Sequence, residues 1–216
     1  MKMRLVRIGT GVISFVCLAG TLAYSGNSDM KIPLEKATFA GGCFWGIEKV
    51  FSDLDGVVST QVGYTGGSVK EPDYEAVCTG GTGHAEAIEI VFDPSKIRYE
   101  KLLEEFFRHH DPTTQDRQGP DIGTQYRSAI FYHNEEQKSV ALKAKALLDR
   151  SKIFKRPLVT EINPAGPFTR AEEYHQKYLK KNPHGYCSIQ LQPEKISQVL
   201  NQLTPSSHGH KLTKEA

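Results

Sequence analysis

Gly41-Gly42-Cys43-Phe44-Trp45-Gly46 follows a short apolar run, Ala37-Thr38-Phe39-Ala40, and precedes Ile47, Val50, Phe51 and Leu54, which recur at spacings of three and four. That recurrence is the mark of an amphipathic helix, so Cys43 sits at or just before a helix N-terminus. Unpaired amides and the positive end of the helix dipole favour an anion there, which predicts a stabilised thiolate and makes Cys43 a candidate nucleophile. The paired glycines permit unusual backbone angles and keep side chains away from the sulfur. A buried structural cysteine is the competing reading, and these residues alone leave both open.

Downstream, Val58, Thr60, Val62 and Tyr64 alternate along a strand that Gly66-Gly67 ends. The turn-rich stretch from Lys70 to Gly83, with Tyr74 and Cys78 in it, reads as a surface loop. A second strand spans about Ala85 to Phe92 and places Glu86 on one face with Ile88, Ile90 and Phe92. A carboxyl among apolar groups resists ionisation, and a glutamate becomes a proton donor near neutral pH in that way; the alternative is a strand-end glutamate pointing to water. Leu102, Leu103, Phe106 and Phe107 mark the core face of the next helix, which stops at His109-His110-Asp111-Pro112. That cluster invites a metal, with His84 or His133 as a distant third ligand. Adjacent histidines diverge on a helix and no closing ligand set has a recognisable spacing, so no metal is expected and the histidines read as helix C-terminal groups.

The loop Thr113 to Gly123 carries Asp121, and a strand follows through Tyr126, Ala129, Ile130 and Phe131. Asn134 with Gln137 caps a helix whose apolar face is Val140, Ala141, Ala144, Leu147 and Leu148. Leu158, Val159 and Ile162 give a short strand. Thr169-Arg170-Ala171-Glu172 has the form of a capping box and predicts a helix from Arg170 through Tyr178 to Pro183. Asn182 to Cys187 is then a loop, and Ile196, Val199, Leu200 and Leu203 form a last amphipathic helix. Strands and helices mix without strict alternation or a glycine-rich phosphate loop. The fold class expected is α+β, a two-layer sandwich with additional helices and long loops.

The 216 residues carry 27 basic and 25 acidic side chains with no basic cluster, which gives no support to a nucleic-acid or anionic-surface partner. Lys2, Arg4 and Arg7 precede the uncharged, mostly apolar segment Ile8 to Ala23, after which the chain turns polar. This is the layout of a secretory signal, or of an uncleaved anchor. Cys17 lies within it. The expected organisation is a signal peptide or membrane anchor over 1–30, one catalytic domain over 31–204 and a disordered tail over 205–216, in a monomer exported to the periplasm or held facing it. Of the four cysteines, Cys43, Cys78 and Cys187 lie outside that leader, and an odd number in an exported protein suggests a reactive thiol.

Five separated motifs now occur in order: Gly41 to Gly46; Gly83-His84-Ala85-Glu86; Asp111-Pro112-Thr113-Thr114 with Asp121 to Ser128; Glu172-Glu173-Tyr174-His175-Gln176; and Asn182-Pro183-His184-Gly185-Tyr186-Cys187. Together they resemble the peptide methionine sulfoxide reductase A family, over about Lys36 to Gln190. The resemblance implies a ferredoxin-like arrangement and an enzyme that returns the S epimer of methionine sulfoxide to methionine. It implies Cys43 as nucleophile, Glu86 as proton donor and Cys187 as resolving cysteine. Phe44 and Trp45 then form the pocket for the substrate methyl group, with Tyr74, Tyr126 and Asp121 around the sulfoxide oxygen and Asp121 orienting a water or hydroxyl. Sulfoxide reduction needs a nucleophile for sulfur and a proton for oxygen, and it leaves a sulfenic acid that condenses with a thiol. Cys78 reads as structural. No cysteine follows Cys187, so an external dithiol, thioredoxin or a thioredoxin-like protein, has to open the disulfide directly; no bound cofactor is expected. Two rival readings are a cysteine hydrolase with His84 or His175 as base, and a redox-sensing binding module.

Overall fold

The computed structural model describes residues 33–203, so the expected leader and polar tail lie outside the described residues. The elements run β1 (Glu35–Gly41), α1 (Phe44–Ser52), β2 (Val57–Thr65), α2 (Tyr74–Cys78), β3 (Ala85–Phe92) and α3 (Tyr99–Arg108). A hairpin of β4 (Arg117–Gln118) and β5 (Asp121–Ile122) and a 3-10 turn at Thr124–Tyr126 lead into β6 (Ser128–Tyr132). Then come α4 (Glu135–Ser151), β7 (Glu161–Pro164), β8 (Thr169–Arg170), α5 (Tyr178–Lys181) and α6 (Lys195–Leu200).

One sheet is ordered β7-β6-β1-β3-β2-β8. Strand β3 lies between β1 and β2 and is antiparallel to both, with Ile88 opposite Phe39 on one side and Val62 on the other. Strands β1 and β2 are therefore parallel and joined through α1, the split β-α-β unit of ferredoxin-like folds. The parallel pair β6 and β7 is joined by α4, since parallel neighbours need a crossover too long for a turn. Apolar side chains of α1, α3, α4 and α6 pack with Ala37, Phe39, Ile88, Ile90, Phe92 and Ile130 of the sheet. Phe39 is central: its ring centroid lies 5.0 Å from Phe106 and 5.5 Å from Phe51. Each such fully buried side chain contributes roughly 1.5–3 kcal/mol. The result is the expected two-layer α+β sandwich.

Four local expectations change. The Lys70 to Gly83 stretch contains the short helix α2, capped by Asp73, whose Oδ1 accepts the Ala76 amide at 2.8 Å. Tyr126 sits in the 3-10 turn, and the strand starts at Ser128. Leu158 and Val159 precede the strand, which spans Glu161–Pro164. The largest difference concerns the helix expected from Arg170. Thr169 and Arg170 instead pair with Tyr64 and Gly63 at the sheet edge, and helix forms only at Tyr178–Lys181. The Gln176 side chain accepts the Val62 amide at 3.0 Å and donates to the Val62 carbonyl at 2.9 Å, continuing the edge of β2 as a strand would. Glu172 accepts from the Tyr64 hydroxyl at 2.8 Å and the Tyr74 amide at 3.0 Å. These long-range bonds replace the local capping box.

The α4 cap is as expected, with the Gln137 amide on Asn134 Oδ1 at 2.8 Å. The α3 histidines act as helix C-terminal groups: Nδ1 of His109 and of His110 lie 2.8 and 2.7 Å from the carbonyls of Glu105 and Phe106. Nε2 of His110 meets Ser128 Oγ at 2.8 Å, and that hydroxyl meets Thr160 Oγ1 at 2.8 Å. Complete burial lowers the His110 pKa to about 4. A histidine held neutral when folded but charged when unfolded removes stability as pH falls from about 6.5 to about 4, by roughly 3 kcal/mol at the acid end. The fall in urea midpoint across this range is expected to shrink in His110→Gln; an equal fall in both proteins refutes the assignment.

Candidate active site

The end of β1 collects the chemistry because three other pieces of backbone meet it. Gly41 pairs with Ser128 at the start of β6, antiparallel β3 brings its first residues alongside, and Tyr64 of β2 faces Glu86 in register. Between strand and helix, Gly42 has φ +92°, and a side chain there would meet Gln118 at 2.5 Å. Buried Gln118 holds both the amide and the carbonyl of Asp111, at 2.8 and 3.1 Å. Glycine at 42 thus lets the chain turn under that amide bridge and enter α1 with Cys43 as its N-cap residue.

Cys43, Phe44, Trp45, Tyr74, Glu86, Asp121 and Tyr126 line one small pocket, together with Tyr186. Seven expected site residues are thereby brought together. Cys187 is not in the lining; it is exposed, and Cys43, Cys78 and Cys187 are all free thiols. Cys78 is exposed, with its sulfur beside the Tyr74 hydroxyl.

The thiolate expectation is overturned. Burial, and after it the Glu86 carboxyl, push the Cys43 thiol well above the usual range, while the Trp45 amide pulls the other way. A helix N-terminus supplies at most ~2 kcal/mol, too little to offset desolvation of a sulfur that is 8% exposed. Glu86, 2% exposed, behaves as its strand position predicts. Burial raises its pKa to about 8, with the Phe44 amide opposing and Asp121 adding to the rise. That amide donates to Glu86 Oε2 at 3.1 Å, which leaves Oε1 for the acid proton. At neutral pH the pair therefore holds two protons, one on sulfur and one on the carboxyl.

Around them stand hydroxyl donors. Burial is the main cause that keeps Tyr74 and Tyr126 protonated well beyond physiological pH. The Tyr186 hydroxyl donates to Asp121 Oδ1 at 2.7 Å, and its pKa is pushed up to about 12 by partial burial and that bond. Asp121 Oδ2 is buried without a partner among the described residues. The Trp45 indole is fixed twice: Nε1 donates to His175 Nδ1 at 3.0 Å, and the ring stacks on Tyr178 at 3.8 Å between centroids. His175, 1% exposed, also packs against Phe44 and Tyr74.

Sequence reasoning did not select Tyr186, Glu172 or Tyr64, and it raised His175 only as the base of a hydrolase. Their available signal was position: Tyr186 precedes Cys187, and His175 and Glu172 lie in a recognised motif. Neither His84 nor His175 lines the pocket, and the Nδ1 of His175 is committed to Trp45, so neither of these imidazoles is placed as base for a hydrolase. Among the described residues no group of three histidine, cysteine or carboxylate side chains is arranged to hold a metal.

The profile of the family described as peptide methionine sulfoxide reductase matches residues 35–206. The peptide methionine sulfoxide reductase MsrA of Methanosarcina acetivorans is 59% identical over 148 residues, 68% of this chain and 79% of that protein. Mxr1 from Saccharomyces cerevisiae in reduced form superposes with a TM-score of 0.70 at 38% identity, covering 74% of this chain and 93% of that one. Methionine sulfoxide reductase A of Corynebacterium diphtheriae gives 0.63 at 38% identity, over 71% and 77% of the two chains. A buried thiol and a proton-bearing glutamate at one strand end, in a fold and a sequence shared with these proteins, place the chain in the peptide methionine sulfoxide reductase family.

Proposed function

We propose that this protein reduces methionine S-sulfoxide, free and within oxidised proteins, to methionine. The observation that carries the reading is the pairing, in one pocket, of the Cys43 thiol with a Glu86 carboxyl that keeps its proton to about pH 8. Phe44 and Trp45 receive the methyl group, and the Tyr74 and Tyr126 hydroxyls with the Glu86 proton polarise the sulfoxide oxygen. Proton transfer from Glu86 to that oxygen makes the sulfoxide sulfur electrophilic and weakens its bond to oxygen, while the thiol proton passes to the carboxylate as the Cys43 sulfur attacks the sulfoxide sulfur. The sum is Cys43–SH plus sulfoxide giving Cys43–SOH plus thioether. Asp121 acts through the Tyr186 hydroxyl that it holds. Cys187 then displaces water from the sulfenic acid, and an external dithiol of the thioredoxin type opens the disulfide.

The basic and apolar leader supports export, to the periplasm or to a membrane anchor facing it, where a thioredoxin-like donor has to work against an oxidising compartment. The test is dithiothreitol-dependent loss of each separated epimer of a blocked methionine sulfoxide. Consumption of the S epimer alone is expected; a folded protein that turns over neither epimer, or the R epimer only, refutes the function.

A further inference from the structure

We propose that Gly46 is the seat of the resolving loop: its missing side chain lets Ile189 and Cys187 rest on the first turn of α1, close to Cys43, and so sets the rate of disulfide formation. The inference rests on the assignment of Cys187 as resolving thiol and adds the element that positions it.

Gly46 is buried within α1 and is absent from the positive-φ positions. Its backbone therefore does not require glycine, and glycine inside a helix is disfavoured relative to alanine. What requires it is the approach of the loop. A Cβ at this position would lie 2.7 Å from Ile189 Cγ1, 3.3 Å from Ile189 Cδ1 and 3.5 Å from Cys187 Sγ. The first two separations are inside the 3.5–4.0 Å at which carbon atoms pack. Cys43 stands three residues earlier, and side chains at that spacing share a helix face.

The loop has few other attachments. The Gly185 amide donates to the Asn182 carbonyl at 2.8 Å, the Tyr186 hydroxyl to Asp121 at 2.7 Å, and the Gln192 amide to the Arg108 carbonyl at 2.7 Å. Residues 186–192 form no regular element, and Ile189 on Gly46 holds their middle. In the step served, the Cys187 sulfur bonds to Cys43, the S–O bond of the sulfenic acid breaks, and hydroxide leaves as water with the thiol proton. The sulfenic acid from sulfoxide reduction is the only oxidant needed. Such a displacement depends on access and alignment of the attacking sulfur.

The experiment uses the full chain, reduced, freed of reductant and mixed with one equivalent of methionine S-sulfoxide, with methionine and free thiols followed separately. In Gly46→Ala the first equivalent of methionine is expected at about the wild-type rate while disulfide formation slows about tenfold or more, the scale of a misplaced reacting group. Adding Ile189→Ala to Gly46→Ala is expected to recover most of the loss, because the new methyl then has space. Equal disulfide rates in wild type and folded Gly46→Ala overturn the proposal. Cys187→Ser separates the two assignments: its failure to form a disulfide, beside a normal Gly46→Ala, leaves the resolving thiol standing and removes the seat. A wild-type chain that yields methionine yet keeps its Cys187 thiol overturns the resolving assignment itself. If Gly46→Ala does not fold, Ile189→Ala alone carries the test. Disulfide formation slowed several-fold, with methionine formation unchanged, supports the seat, and an unchanged rate overturns it.

Discussion

Glu86→Gln is expected to slow sulfoxide reduction by about 10²- to 10⁴-fold, the range that a positioned general acid supplies. The exchange keeps shape: the glutamine carbonyl can still accept the Phe44 amide, as Glu86 Oε2 does at 3.1 Å. It removes the acidic proton and nothing else of comparable size. Stability moves the opposite way, which separates lost chemistry from lost fold. A carboxyl raised from 4.5 to about 8 on folding contributes its full stability below pH 4.5 and loses it as pH rises through about 8. At pH 7 the wild type has therefore lost on the order of 3 kcal/mol that the neutral amide never loses. Single-turnover methionine formation, followed against pH beside urea unfolding, checks both halves. The wild-type rate is expected to fall above about pH 8 while the variant stays flat there. A Gln variant as fast as wild type refutes Glu86 as the acid.

Cys43→Ser is expected to leave no methionine formation above the uncatalysed level, a loss of at least about 10⁴-fold, because the step that accepts oxygen has no nucleophile and the remaining groups act only through it. Cys43 also packs with Phe44, Val62, Tyr64, Val77 and Ala171. A serine hydroxyl buried there without a partner lowers stability by about 1–3 kcal/mol, so activity has to be measured well below the unfolding midpoint. Mass spectrometry of Cys187→Ser, with Cys43 intact, after one equivalent of sulfoxide is expected to show one added oxygen on Cys43. Methionine formation by folded Cys43→Ser, or oxygen found on Cys78, moves the nucleophile elsewhere.

Helix α1, strand β3 and helix α4 were legible because each carries its signal in a window of about ten residues. Ile47 and Phe51 repeat at helical spacing, Glu86 shares a face with Ile88 and Ile90, and Asn134 caps Gln137. The segment from Arg170 to Lys177 was not legible. Thr169-Arg170-Ala171-Glu172 has a helix-start pattern, but Glu172 and Gln176 bond to Tyr64, Tyr74 and Val62, about a hundred residues away in sequence. The Cys43 thiol was misread for a related reason: the helix N-terminus is local, whereas the burial that outweighs it is assembled from several elements.

By itself the sequence determined the α+β class from periodicity, and its five ordered motifs pointed to Cys43 as nucleophile, Glu86 as acid and Cys187 as the loop thiol, the roles proposed for them here. Only the tertiary structure decided that the thiol stays protonated, that His175 and Tyr178 fix the Trp45 ring, that Tyr186 enters the pocket beside Asp121, and that the Cys187 loop rests on Gly46. Each of these depends on desolvation or on contact between residues far apart along the chain, and such quantities come into existence only when the strand ends meet.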